Sequence, residues 1–119
     1  MANWFENLPD KCPPNDAFAP SGHTFYRLIN GQTATSDDYI SQRAEFPWKK
    51  FVGIDECIER AVSIFSLEAD CEKMLKFARH RHKRVYAITL NEKDGLVKQT
   101  FKPSHHSWWR TSTFKIDND

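Results

Sequence analysis

The distribution of apolar and polar positions along the chain predicts the strands of a small sheet. Residues 24–30 are rich in strand formers and are bounded by glycines, which predicts a first strand. The short apolar run 61–65 predicts a second strand. Residues 85–90 are apolar at nearly every position, as in a central strand that is buried on both faces. Partial alternation of Trp, Thr and Phe over 108–116 predicts a last strand.

Other stretches have helical spacing. Apolar residues at i, i+4, i+7, i+8 and i+11 predict a helix over 67–78, with Ser66 as its N-cap. A shorter helix is expected over 36–45, where a serine and two aspartates form a favourable start. Asp55 is the expected N-cap of a helix over 56–61.

The predicted strands and helices define a fold class. Residues 91–95 end in Asp-Gly, a dipeptide typical of tight turns, and 96–101 is expected to return as the partner of 85–90. This predicts a β-hairpin at 85–101. The chain is therefore expected to be α+β, with a small mixed or antiparallel sheet of about four or five strands and two or three helices.

The first residues differ in composition from the rest. Residues 1–22 contain four of the six prolines, which predicts an extended arm, and its aromatic residues indicate that the arm packs on the body. Residues 23–119 are expected to form a single α+β domain. No apolar run approaches the roughly 20 residues of a membrane span, so no membrane partner is expected.

The cysteines predict the compartment. The chain has three, an odd number, without Cys-x-x-Cys spacing. This argues against a disulfide framework and against a structural zinc site. Cys57 and Cys71 are interpreted as small buried hydrophobic residues, so we expect a reducing, cytoplasmic location.

Charge is distributed unevenly along the chain, although the net charge is only +1. Residues 36–72 carry nine acidic residues and four Lys or Arg, whereas residues 73–115 carry eleven Lys or Arg and two acidic residues. Either the two segments pair internally, or the basic segment forms a face that attracts phosphates. The sequence leaves both alternatives open.

The densest positive charge lies between the predicted helix and strand, in residues 79–84. Guanidinium groups match phosphate oxygens, so this connection is a candidate phosphate-binding segment. The alternative is a solvated loop at the C-terminal end of a helix. The candidate ligand-binding residues here are Arg79, Arg81, Lys83 and Arg84.

The second candidate segment lies near the end of the chain. His105 and His106 are candidate proton-transfer groups, because histidine titrates near neutral pH. Trp108 or Trp109 would offer a stacking surface, and Arg110 would bind an anion. The structural alternative is that successive residues of a strand point to opposite faces, so that one residue of each pair is core.

Arg27 is the third candidate, because it lies within an apolar strand. A buried charge needs a partner, so Arg27 either pairs internally with an acid or points into a cleft. Ser63 would line the same cleft if its strand is adjacent. Glycine-rich phosphate loops are absent from the sequence, and we expect neither a metal nor a cofactor.

These pieces occur in an order that resembles small bacterial proteins of uncharacterised function. Shared features are a Tyr-Arg strand (25–29), an Asp-aromatic-x-Ser segment (38–41), a Ser-hydrophobic-Phe strand (63–65) and a Ser-His-x-x-Trp-Trp ending (104–109). More distantly, Arg27 and the serines of 63–66 resemble the Arg and Ser-x-Ser positions of ADP-ribosyltransferases. The sequence departs from that layout by one residue at the serines and lacks the glutamate.

The leading hypothesis is a domain that binds a phosphate-bearing ligand, nucleic acid or nucleotide, through its basic C-terminal half. The first alternative is a small enzyme acting on RNA or NAD, ribonuclease-like or ADP-ribosyltransferase-like, with His105 or His106 in proton transfer. The second is a protein-interaction module that uses the acidic segment 36–72. The sequence does not decide whether the protein is an enzyme.

Overall fold

Five strands form one antiparallel sheet in the computed structural model, which describes residues 3–115. The strands are β1 (His23–Ile29), β2 (Val62–Phe65), β3 (Arg84–Leu90), β4 (Gly95–Gln99) and β5 (His105–Arg110). Their order across the sheet is β3-β1-β2-β5-β4. The predicted α+β class, with a sheet of about five strands, is confirmed.

The helices are shorter than predicted. Residues 36–45 divide into a 3-10 helix and α1, because the carbonyls of Tyr39 and Ile40 accept hydrogen bonds from arginine side chains of the sheet. The α-helices are α1 (Gln42–Glu45), α2 (Glu56–Glu59) and α3 (Glu68–Glu72), and the 3-10 helices are Ser36–Asp38, Lys73–Lys76, Ala78–His80 and Glu92–Asp94.

The helix predicted over 67–78 is α-helical only in α3. It continues as a 3-10 helix and is then interrupted at Phe77, whose backbone is extended. The predicted cap at Ser66 is wrong, since Leu67 is the N-cap and no side chain caps the helix. Asp55 does cap α2, and its carboxylate accepts a hydrogen bond from the Cys57 amide at 2.7 Å.

The predicted hairpin at 85–101 is wrong. β3 pairs with β1, whereas β4 pairs with β5, so β3 and β4 are the two edges of the sheet. The Asp-Gly dipeptide does not form a hairpin turn, because Asp94 closes a 3-10 helix by accepting a hydrogen bond from the Asn91 amide at 2.7 Å. Residues 85–90 are therefore an edge strand, and the prediction of a central strand is also wrong.

The sheet is curved around its core. Only residues 91–94 join one edge strand to the other, and so short a connection requires the two edges to approach each other. Phe18 of the arm pairs with Val97 of β4 through two backbone hydrogen bonds of 2.9 and 2.8 Å. The core on the concave side consists of Phe25, Ile29, Ala34, Tyr39, Val62, Ile64, Ile88, Leu90, Val97, Trp108 and Phe114.

A disulfide joins Cys12 of the arm to Cys57 of α2, which corrects the interpretation of Cys57 as a small hydrophobic residue. The odd cysteine count was misleading because the unpaired member, Cys71, is the buried one. The cytoplasmic expectation rested on the absence of a disulfide, so this support for it is lost. Within residues 3–115, no helix has the length and apolar character that a membrane span requires.

Candidate functional site

The register between β2 and β5 separates their side chains onto two faces. Phe65 is opposite His105 and Ser63 is opposite Ser107, whereas Ile64 is opposite His106. Side chains of paired residues share a face of the sheet. The first four residues therefore lie on the convex face, and the Ile64 and His106 pair lies on the face of the core.

His105 is held in a defined orientation on the convex face. Its Nδ1 lies 3.0 Å from the hydroxyl of Thr100, which lies 3.0 Å from the hydroxyl of Ser107. The rings of Phe65 and Phe101 flank the imidazole, with centroids at 5.3 and 5.4 Å. Among residues 3–115, no hydrogen bond involves Nε2 of His105, so this nitrogen is available to a ligand.

Three adjoining cavities meet at His105, and we call them together the His105 groove. Their volumes are about 150, 500 and 260 Å³, and His105 lines all three. Phe65 and Met74 line the first and the second, while Phe101 lines the second and the third. The groove thus consists of three neighbouring cavities that share lining residues around His105.

The second cavity, of about 500 Å³, combines positive charge with exposed aromatic rings. Lys73, Lys76 and Lys102 line it, and Asp70 forms an ion pair with Lys73 at 3.3 Å. Its exposed rings are Phe77, with 42% of its surface accessible, and Phe101, with 69%. This cavity can therefore bind an anion and a planar group at the same time.

Arg27 has a structural role, although it also lines the first cavity. Its guanidinium group donates hydrogen bonds to three backbone carbonyls, those of Asp38 at 2.6 Å, Ser63 at 2.7 Å and Ile40 at 3.2 Å. The predicted pairing with an acid is not observed: among residues 3–115 Arg27 forms no ion pair, and backbone carbonyls take the place of the acid. Ser63 is adjacent to Arg27, as predicted, and lines the first and third cavities.

The basic connection of residues 79–84 is divided between the groove and the surface. Lys83 lines the first cavity, and the Arg79 guanidinium lies 5.5 Å from the Phe77 ring centroid. Arg84 instead donates a hydrogen bond at 2.9 Å to Gln32, in the loop that follows β1. Arg81 is exposed. The connection therefore adds charge beside the groove but is not a single phosphate-binding loop.

The prediction that Trp108 or Trp109 offers a stacking surface is wrong, because both are at most 1% exposed. Trp108 packs edge-on against Tyr39 in the core, and its indole nitrogen donates to the Asp94 carbonyl at 3.0 Å. Trp109 points to the other face, where its indole nitrogen donates to the Cys57 carbonyl at 2.8 Å. Both faces of the sheet are covered at this end of β5.

Arg110 is also buried, so the prediction that it binds an external anion is wrong. Its guanidinium group donates to the carbonyls of Ser36 at 3.0 Å and Tyr39 at 2.8 Å, and it also bonds the Ser36 hydroxyl. The group stacks 3.7 Å above the Phe5 ring of the arm. Arg110 fixes the segment after β1 and the arm to the end of β5.

His106 faces the core side and is separated from the groove. Its Nδ1 lies 3.0 Å from the Ser104 carbonyl, and its ring packs edge-on against Phe25 with centroids 5.2 Å apart. Of the two histidines predicted for proton transfer, only His105 lies in the groove. Residues 3–115 contain no cluster of three or more His, Cys, Asp or Glu side chains suited to a metal ion.

Sequence reasoning missed the groove residues outside the strands. Phe77, Phe101 and Lys102 are exposed at its rim, and Thr100 orients the imidazole. One signal was available: Phe101 lies between a polar residue and Lys-Pro, where a turn leaves a large aromatic side chain without a core to enter.

Comparison with known proteins identifies no relative of the chain: no family model, no curated protein and no solved structure matches it.

The free energy of unfolding is expected to fall as the pH drops from about 8 to about 5. Burial lowers the pKa of both His105 and His80, and nearby positive charges, including those of Lys102 and Lys83, act in the same direction. An unfolded histidine titrates near 6.5, so the unfolded chain binds more protons below that pH. The stabilisation that is present above about pH 6.5 is therefore lost as the pH falls toward the lower pKa values that the two histidines have in the folded protein.

Urea denaturation across this pH range measures the effect. On acidification, the free energy of unfolding should fall less in the double variant H80Q/H105Q than in the parent protein. In H23Q, at an exposed histidine outside the groove, it should fall as much as in the parent. Equal decreases in the free energy of unfolding of the parent and the double variant would contradict the assignment of this pH dependence to His80 and His105.

Proposed function

We propose that the protein binds single-stranded nucleic acid in the His105 groove. The observation that carries this proposal is the second cavity, which is lined by three lysines, one aspartate and two exposed phenylalanine rings. Lysines bind phosphates, and an exposed aromatic ring stacks on a base irrespective of sequence. A volume of about 500 Å³ is within the range of small-ligand sites, so a nucleotide is the smallest ligand expected.

Phe101 takes the stacking role predicted for the tryptophans. It has φ of +61°, a left-handed conformation that is costly for a bulky residue. The turn is held by a hydrogen bond from the Thr100 amide to the His105 carbonyl at 2.9 Å, and by one from the Gln99 side chain to the Lys102 carbonyl at 2.7 Å. An exposed ring held in a strained conformation supports a binding role for Phe101.

The charge of the basic segment supports the same proposal. Of the four ion pairs among residues 3–115, only Lys73 with Asp70 joins the acidic segment 36–72 to the basic segment 73–115. Acids of segment 36–72 pair within it instead, as in Arg43 with Glu59 and Arg60 with Glu56. Apart from Lys73, Lys98 and the buried Arg110, the bases of this segment form no ion pair among residues 3–115, so their charge can attract an external anion.

Nucleic acid is favoured over a free nucleotide because two further cavities adjoin the second cavity at His105. The first cavity adds Lys83, and the exposed Arg79 and Arg81 lie in the connection that leads to it. Consecutive phosphates of an extended strand would follow these charges, while a mononucleotide would fill only the second cavity. Single-stranded binders commonly combine such a basic path with stacking rings.

The proposal is tested by fluorescence anisotropy with labelled single-stranded oligonucleotides over a range of salt concentrations. With three lysines near phosphates, the slope of log K against log salt is expected to be about −2. Phe101→Ala should weaken binding by roughly tenfold through lost stacking. Lys102→Gln should make the slope less negative by about 0.7.

Two matched variants provide controls. Phe18 is 48% exposed and lies outside the groove, and Lys93 lies at the opposite end of β4 from Lys102. Phe18→Ala and Lys93→Gln should leave affinity and salt slope unchanged. A salt-independent affinity, or equal losses in Phe101→Ala and Phe18→Ala, would refute binding in the groove. If a mononucleotide binds tightly and an oligonucleotide binds with no higher affinity, the ligand is a nucleotide and not a nucleic acid.

The location expected from the sequence is cytoplasmic, a compartment in which RNA is abundant. Disulfides are typical of oxidising compartments, so the Cys12–Cys57 bond argues in the other direction. The binding proposal depends on neither location, because the disulfide lies outside the residues that line the groove.

A further inference from the structure

We propose that the strand bound in the His105 groove is RNA, and that His105 cleaves it as a general base acting on a 2′-hydroxyl. This inference rests on the proposed function and assigns its substrate class. His105 satisfies the geometric requirements of a general base: one ring nitrogen is held by the protein, and the other is available at the centre of the groove.

The bond network fixes how His105 presents Nε2. The Thr100 hydroxyl contacts Nδ1 at 3.0 Å and is itself held by the buried Ser107 hydroxyl at 3.0 Å. The flanking rings of Phe65 and Phe101 restrict rotation of the imidazole. When Nδ1 carries the proton, its N–H group donates a hydrogen bond to the Thr100 hydroxyl. Nε2 then has a lone pair that is available to a ligand.

Among residues 3–115, the one hydroxyl bonded to His105 is that of Thr100, which contacts Nδ1 and belongs to a buried side chain. The protein therefore offers a base in the groove but no accessible nucleophile beside Nε2. The Ser107 hydroxyl is bonded to Thr100, and the Ser63 hydroxyl forms no hydrogen bond with His105 among residues 3–115. The Cys71 thiol is buried, and burial raises its pKa to about 12. A base without a protein nucleophile suits a substrate that carries its own, and the 2′-hydroxyl of RNA is such a group.

The reaction that fits this arrangement is an internal phosphoryl transfer. Nε2 of His105 removes the proton of the 2′-hydroxyl, the 2′-oxygen forms a bond to the adjacent phosphorus, and the bond from phosphorus to the 5′-oxygen breaks. The departing 5′-oxygen takes a proton from solvent, and His105 later returns its proton to solvent. The products are a 2′,3′-cyclic phosphate and a 5′-hydroxyl, and no oxidant or cofactor is needed.

The lysines of the second cavity support the charge that develops on the phosphate. Lys73 and Lys102 line the same cavity as His105. Positive groups near the non-bridging oxygens stabilise the transition state electrostatically. Phe101 contacts the imidazole and is exposed on its other side, so a base stacked there would bring its ribose near Nε2.

The experiment uses three oligonucleotides of one sequence: all-RNA, all-DNA, and DNA with a single ribonucleotide. The parent protein is expected to bind all three, to cleave the chimera only on the 3′ side of its ribonucleotide, and to leave a 2′,3′-cyclic phosphate there. His105→Asn places an amide near the Nδ1 position, which preserves a partner for Thr100, but lacks Nε2. It should reduce cleavage by about 100-fold and alter affinity by less than about threefold.

Controls separate this inference from the binding proposal and from contaminating nucleases. His105→Gln provides a second variant without the imidazole, and His23→Gln, purified identically, should cleave as the parent does. Binding without cleavage, or full cleavage by a folded His105→Asn or His105→Gln protein, overturns the RNA-cleavage inference and leaves the binding proposal standing. Failure to bind any of the oligonucleotides overturns both.

Discussion

Replacing Gly95 with alanine is expected to lower the free energy of unfolding by more than about 4 kcal/mol. A Cβ atom at this position would lie 2.1 Å from the Trp109 carbonyl oxygen and 3.0 Å from the Trp108 indole nitrogen. Gly95 also has φ of +136°, a conformation that L-residues rarely adopt. Relief of the clash would require β4 to move away from β5, which would break the start of their pairing at Gly95 and Arg110.

Urea denaturation monitored by tryptophan fluorescence measures this effect, because Trp108 and Trp109 adjoin the site. Gly31→Ala is the matched control: its φ is not in the left-handed region, and its nearest Cβ contact would be an ordinary 3.6 Å. Gly31→Ala should change stability by less than about 1 kcal/mol. Similar stabilities for the two variants would show that β4 tolerates the displacement.

The sequence located the strands better than their pairing. The apolar run 85–90 predicts a strand, and a run with so few polar residues is typical of a central strand. The structure shows an edge strand of a curved sheet, where Ile88 and Leu90 face the core and Thr89 is exposed. Pairing depends on curvature and on the 3-10 helix at Glu92–Asp94, and neither has a periodic signature.

The predicted site and the His105 groove both include β5, but they differ in their aromatic residues. The alternation of side chains along a strand correctly predicts that His105 and His106 lie on opposite faces of the sheet. It failed for Trp108 and Trp109 because Trp108 lies in the core and the convex face is covered at Trp109, whose indole nitrogen donates to the Cys57 carbonyl, whereas His105 lines a cavity. Such coverage depends on α2 and on the disulfide, which join parts of the chain that are distant in sequence.

The basic segment carries most of the positive charge, but the sequence does not distinguish arginines that bond backbone carbonyls from arginines that are exposed. Arg110 and Arg27 bond backbone carbonyls, whereas Arg79 and Arg81 are exposed. A guanidinium group has five donors and suits either task, so the surroundings decide which one it performs. The lysines at the groove are less ambiguous, since Lys76 and Lys102 remain exposed.

Replacing Arg27 with methionine is expected to lower the free energy of unfolding by about 3 kcal/mol. Methionine retains the aliphatic bulk but leaves the carbonyls of Asp38, Ile40 and Ser63 without their donor. Each buried acceptor left unpaired costs about 1–3 kcal/mol, and release of the guanidinium from burial offsets part of the sum. Urea denaturation measures the difference between the variant and the parent protein.

Two further variants define the role of Arg27. Arg27→Lys keeps the charge, but a single ammonium group cannot reach three carbonyls in the geometry of the guanidinium fork, so it should recover only about half of the lost stability. Arg81→Met, at an exposed arginine, should change stability by less than about 0.5 kcal/mol. Because the Ser63 carbonyl is the only one of the three acceptors on β2, Arg27→Met should also loosen the groove wall that Ser63 forms and weaken oligonucleotide binding in the fraction that remains folded. A stable Arg27→Met protein with reduced affinity would instead assign Arg27 to direct ligand binding.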